Sequence, residues 1–179
     1  MVGEYRVSRK QIINIINIIN MKTAIIYYSK KGTTQKVAKI ISEKLNSEED
    51  LINLKQNTPL DISSYDRIII GTPIYAGNSS KKVKKFITAN QHHLLKKEIG
   101  LYVCGMEKEE EKQREELEGA YPTELLERAK AKQFLGGEFM FENMNFFERM
   151  IIKKIAKTDK SISALNHQNI DRFIQDISL

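Results

Sequence analysis

The chain has 179 residues, 41% apolar and 29% charged, with Lys plus Arg outnumbering Asp plus Glu by 29 to 23. That length suits one domain with its own core. The single cysteine, Cys104, excludes an internal disulfide and a cysteine-based zinc cluster, and no apolar run approaches the roughly 20 residues that cross a bilayer. An integral membrane helix protein, a disulfide scaffold and a disordered chain are thereby excluded, and a net charge of +6 remains to be located.

Residues 12–20 read IINIINIIN. A period of three drifts around a helix and builds no stable apolar stripe. Arg6, Arg9 and Lys10 resemble the charged start of a signal peptide, but Asn14, Asn17 and Asn20 interrupt the apolar run and no small-residue cleavage site follows. Met21 then opens MKTAIIYYS, which reads as an ordinary protein start. We therefore expect an N-terminal extension over 1–20, consistent with a misassigned start, and one folding domain over 21–179.

From there strands and helices alternate. Residues 23–28 (TAIIYY) form a β-branched and aromatic run, the pattern of a buried strand. Residues 34–46 place Val37, Ile40, Ile41 and Leu45 on one helical face. A short strand is expected at 51–54, then a loop marked by Asn57, Pro59, Asp61, Ser63 and Ser64. The third strand is 67–71, and 80–90 fits a helix with Val83, Phe86 and Ile87 inward. The fourth strand is 99–104. A charged stretch and a helix near 123–131 lead to a fifth strand near 132–139, and helices are expected at 145–157 and 168–177. This alternation predicts an α/β fold with a parallel sheet covered on both faces.

In such a sheet ligands bind beyond the carboxyl ends of the strands. Gly32, Gly71, Gly77 and Gly105 all fall there. Ser29, Lys30, Lys31, Gly32, Thr33 and Thr34 join the first strand to the first helix. Hydroxyls, a glycine turn and a helix N-terminus together suit a phosphate, although Thr33 or Thr34 would also serve as a plain N-cap. The spacing is not the GxxxxGK[ST] of a triphosphate loop, and no GxGxxG occurs. Thr72, Pro73, Ile74, Tyr75, Ala76, Gly77 and Asn78 follow the third strand. Their backbone groups and the Tyr75 ring suit the edge and face of a planar heterocycle. Cys104, Gly105 and Met106 follow the fourth strand and offer a further wall. Cys104 reads as a small buried hydrophobe, not a nucleophile. His92, His93 and His167 read as surface residues. No catalytic constellation, metal site or nucleic-acid module is expected.

These three loops resemble those of the flavodoxin superfamily. Ser29-x-x-Gly32-x-Thr34 has the spacing of its flavin mononucleotide (FMN) phosphate loop, and YDRIIIGTPIYAGNSSKKVKKFI (65–87) resembles its third strand, second flavin loop and next helix. Residues 136–161 and 167–177 are similar in pattern to the menaquinone-dependent protoporphyrinogen oxidase group of that superfamily. The resemblance covers 22–178. It implies a doubly wound, five-stranded parallel sheet of order 2-1-3-4-5, with FMN held by the residues just named. It also implies a cytoplasmic redox protein that passes electrons to a quinone or a redox-protein partner, with porphyrinogen as a substrate. An electron-transfer flavodoxin, or an FMN-dependent quinone reductase without porphyrinogen activity, is the alternative.

Two charge features bear on this. Residues 107–118 hold seven Glu against three Lys or Arg, a poor place to receive a carboxylate-bearing porphyrinogen. We expect a solvated helix there, with Glu110–Arg114 and Lys112–Glu116 pairs. In 145–157, Phe146, Phe147, Met150, Ile151 and Ile155 share one broad face, while Arg149, Lys153, Lys154 and Lys157 lie mostly opposite. That pattern suits either packing on the sheet or peripheral contact with an anionic membrane. Residues 145–160 carry five basic residues against Glu148 and Asp159, or +3, and residues 1–20 carry +2, so five of the six net charges sit in these two segments.

Overall fold

The computed structural model describes residues 8, 21–45, 49–56, 60–139, 146–147, 149–150, 154 and 161–179. The expected extension, Ser8 apart, and most of the 145–157 helix lie outside the described residues, as do Asn57 and Pro59 of the predicted loop.

In chain order the elements are β1 (Thr23–Tyr27), α1 (Thr33–Leu45), β2 (Glu49–Asn53), β3 (Arg67–Tyr75), β4 (Asn78–Ser79), α2 (Lys81–Leu94), β5 (Glu98–Cys104), α3 (Glu110–Ala120), α4 (Thr123–Arg128), β6 (Ala131–Phe134), β7 (Glu138–Phe139), β8 (Ile162–Ser163) and α5 (His167–Ser178). Five strands run parallel in the order β2-β1-β3-β5-β6. Counting only these, the order is the expected 2-1-3-4-5. The short β4 pairs back on β3, and β7 and β8 form a separate antiparallel pair.

Strand alternation divides the interior into two cores. Ala24, Ile26, Ile68, Ile70, Ile99, Leu101 and Val103 point to one face, where Val83, Phe86, Ile87 and Leu94 of α2 cover them. Ile25, Tyr27, Ile69, Tyr102 and Cys104 point to the other, against Val37, Ala38 and Ile41 of α1 and Ile170, Phe173 and Ile177 of α5. Ile40 and Leu45, expected on the inner face of α1, are only half-buried, while Thr34 and Ala38 are buried instead. Ser80 caps α2, its hydroxyl accepting from the Lys82 amide at 3.2 Å.

Three boundaries differ from the sequence reading. The helix near 123–131 stops at Arg128, because the Lys130 amide already donates to Ile99 O in the sheet. The fifth strand near 132–139 is two strands: Gly136, at φ 79°, turns the chain out of the large sheet before β7. β3 does not end at residue 71 but runs to Tyr75, so Thr72–Tyr75 are strand, not loop. The β1 ladder ends at Tyr27 opposite Gly71, and Pro73 pairs only toward Cys104 of β5. A proline is tolerated where one side of its strand has no ladder to feed.

β3 and β4 are joined by Ala76 and Gly77, both with positive φ, 48° and 73°. Both central residues at φ > 0 is the requirement of a type I′ hairpin. Gly77 meets that requirement freely, whereas Ala76 does so at a cost of about 1–2 kcal/mol. Ala76→Asn is therefore expected to stabilise the protein by about 1 kcal/mol. Urea unfolding checks this, as a raised midpoint at unchanged slope.

Candidate functional site

The phosphate-type segment is built by a turn with a specific backbone demand. Gly32 sits at φ 103°, where a side chain is strained, and its amide donates to Ser29 Oγ at 3.1 Å. The first intrahelical bond of α1 runs from the Lys36 amide to Gly32 O at 2.9 Å. The amides of Thr33, Thr34 and Gln35 therefore precede any intrahelical acceptor, which makes this end of α1 electropositive. No acidic residue stands in its first turn. Ser29 and Thr34 are buried, Thr33 and Lys31 half-buried, and Lys30 and Gly32 exposed.

Thr34 is fixed from beneath. The Tyr102 hydroxyl donates to Thr34 O at 3.1 Å, and the Tyr102 ring fills the space a side chain at Gly71 would need. Tyr121 in turn donates to Ile70 O and Tyr102 O, tying β3 to β5 just below the site.

The second segment is a strand that becomes a hairpin tip. Thr72 is buried, and its hydroxyl accepts from the Ser80 amide at 3.0 Å. Pro73 is buried and Ile74 half-buried, whereas Tyr75 is 46% exposed and Ala76, Gly77 and Asn78 are exposed. The Asn78 side-chain amide donates to Ala76 O at 2.9 Å and closes the tip. In the third segment Cys104 and Gly105 are buried and Met106 half-buried. Burial pushes the Cys104 thiol up to about 12, against the opposing effect of a hydrogen bond with Thr34. A neutral thiol is a poor nucleophile. All three predicted segments thus meet at the carboxyl end of β1, β3 and β5.

The structure adds a residue that sequence reasoning missed. The Glu138 side chain on β7 is 3% exposed and accepts from Lys36 Nζ and Ser163 Oγ, each at 2.7 Å. Its backbone carbonyl lies 3.5 Å from Thr33 Oγ1. Burial works to raise its pKa, but the hydrogen bonds from Lys36 and Ser163, with the Lys36 charge, outweigh it and hold the carboxyl below its ordinary value. Only the Gly136-Gly137 doublet hinted at a turn here, since the Lys36–Glu138 contact joins residues 102 apart.

The acidic stretch forms α3, as expected, but with different partners: Lys112 pairs with Glu109 and Arg114 with Glu111. Glu116 is not simply solvated. Its Oε2 is buried with no hydrogen-bond partner among the described residues, and it lies 3.2 Å from where a Cβ on Gly105 would stand. A groove of about 500 Å³ between α3, α4 and the edge strand β6 is lined by Arg114, Leu117, Leu126, Lys132 and Phe134 among others, and holds none of the predicted site residues.

Burial, and then the charge of Glu107, raise the Glu116 carboxyl above its ordinary pKa. A carboxyl that holds its proton more tightly in the folded state supports folding at low pH. It opposes folding once pH passes its unfolded value. Glu116→Gln is expected to melt at a higher temperature than the parent protein at pH 7, with the gap closing near pH 4. Thermal melts at the two pH values decide it, and a gap independent of pH would refute it.

A family model described as flavodoxin domain matches residues 24–165. A flavodoxin of Clostridium saccharobutylicum is 36% identical over 84 residues, which are 45% of this chain and 52% of that protein. The chain spans about half the length of the curated relatives it matches. Among solved structures, rubredoxin:oxygen oxidoreductase of Desulfovibrio gigas aligns over 94% of this chain and 37% of its own at a TM-score of 0.53 and 13% identity, a likeness of fold alone. A Lactobacillus acidophilus flavoprotein in complex with FMN aligns over 65% of this chain and 91% of its own, at a TM-score of 0.42 and 22% identity. With the family match running from β1 to just short of α5, the chain belongs to the flavodoxin domain family.

Proposed function

We propose that this chain binds FMN and works as a redox protein, passing electrons between a donor and a quinone or redox-protein acceptor. The observation that carries the reading is the β1–α1 cradle. A glycine turn delivers amides not yet engaged by the helix, with no acid in the first turn to repel an anion. Those features fit a phosphate monoester. Ser29–Thr34 would hold the phosphate, and 72–78 with 104–106 would flank the ring. Bound there, FMN would supply one- and two-electron redox chemistry that no side chain can. The chain's own part is positional. Buried Thr72 and Cys104 fix the backbone of the two flanking segments, and the exposed Tyr75 offers an aromatic face. The Glu138 carboxylate, which would repel a phosphate, is neutralised by Lys36.

The finer reading is protoporphyrinogen oxidation coupled to menaquinone. The likeness of 136–161 and 167–177 to that oxidase group supports it. The glutamate-rich α3, which starts four residues after Met106, counts against a carboxylate-bearing substrate on that side. Electron transfer to a quinone or protein, without porphyrinogen, is therefore the reading we favour.

Titrating the flavin-free protein with FMN and with riboflavin tests the assignment. FMN should bind more tightly, and Gly32→Ala should weaken FMN roughly five- to thirtyfold while leaving riboflavin little changed. Failure to bind FMN, or equal affinity for the two flavins, would overturn it. Protoporphyrinogen oxidation assayed with a menaquinone analogue then decides the finer reading.

A further inference from the structure

Thr33 and Lys36 stand three residues apart on α1, so they share one face of its first turns. Glu138 of β7 meets both. Its carbonyl lies 3.5 Å from Thr33 Oγ1, and its carboxylate accepts from Lys36 Nζ at 2.7 Å. The carboxylate is held in place. Its side chain is 3% exposed, and Ser163, its register partner on β8, donates to the same oxygen at 2.7 Å. The chain around it is pinned as well, because the Gly105 amide donates to Gly136 O at 3.2 Å and the Ala164 amide to Gly137 O at 2.8 Å. Lys36 is the opposite case, with a side chain 53% exposed. A long, open lysine in the first turns of a helix is a group that reaches an anion at its N-terminus. Here a buried, fixed acid engages it instead.

We propose that Glu138 and Lys36 together set how strongly the cradle prefers the phosphorylated flavin. The proposal rests on the reading of Ser29–Thr34 as a phosphate site. As a pair the two side chains contribute no net charge, so a phosphate monoester meets the amides and hydroxyls of the turn, with Lys30 and Lys31 the cations within it. Removing one member leaves a charge of one sign on the face of α1 that carries Thr33. A phosphate monoester senses that charge over several ångströms, whereas a flavin without phosphate is neutral and does not. Removing both members restores the balance. A purely structural clasp predicts the reverse, with the double variant the weakest binder of both flavins. His167, which opens α5, also acts on Glu138 by its charge, so the comparison is made at one fixed pH near neutrality.

Calorimetric titration of the flavin-free full chain with FMN and with riboflavin, at low and high salt, tests it. Lys36→Met is expected to weaken FMN roughly three- to tenfold, and Glu138→Gln to tighten it by a similar factor. The double variant should return to within about twofold of the parent, and Lys36→Arg, which keeps the charge, should bind as the parent does. Riboflavin should move less than about twofold in every variant, and the FMN shifts should shrink as salt rises. Glu138→Gln keeps an oxygen to which Lys36 and Ser163 can donate, and thermal melts of the flavin-free variants confirm that each folds. Parallel shifts for the two flavins, a double variant weaker than either single one, or shifts independent of salt would each overturn the proposal. A parent protein with equal affinity for both flavins overturns the phosphate reading itself, and this proposal with it.

Discussion

The hydrogen bond from Tyr102 to Thr34 O is the contact on which the site's geometry rests. Tyr102 reaches it only because β3 carries no side chain at Gly71, where the phenol ring lies. The bond links the middle of β5 to the first turn of α1 across the width of β3. It sets the height of the α1 N-terminus above the sheet, and with it the direction in which the amides of Thr33, Thr34 and Gln35 point. Tyr121 locks the same level from the opposite face, donating to the carbonyls of Ile70 and Tyr102. A buried polar group this well satisfied positions backbone more rigidly than apolar packing alone. Loosening it would displace the cradle and the flanking strand together.

Glu138 extends that logic to the outer side of the cradle. A carboxylate 3% exposed would be costly alone, but with Lys36 and Ser163 it becomes the clasp that holds the β7–β8 pair against α1. Because its pKa is depressed in the folded state, the clasp contributes stability above the unfolded carboxylate range, and that contribution is lost as pH falls through the folded value. Glu116 has the opposite sign. On acidification one acid loosens the cradle's outer side while the other sheds a buried charge behind Gly105.

What the sequence made legible follows from range. The strands and helices were readable because Ile-rich runs and helical spacing are local. The Ser29–Thr34 turn was readable because a glycine demand and hydroxyl spacing are local too. β3 was cut short because Pro73 normally ends a strand, and only the register shows that its β1 side is already vacant. Glu138 was invisible because its partner lies 102 residues away, and Glu116 because its acidic neighbours disguised it as one more solvated side chain. In 145–157 the amphipathic pattern was plain, but periodicity cannot say whether an apolar face meets protein or solvent.

The net charge of +6 with which the sequence begins conceals a division that matters more than its sum. Residues 107–118 carry seven acidic against three basic residues, or −4, whereas 145–160 carry +3. Both segments leave from the carboxyl end of the sheet, one after Met106 and the other after β7 beside Thr33. An anionic surface would attract the second and repel the first. The same split makes α3 a poor neighbour for a carboxylate-bearing ligand on its side of the strand ends.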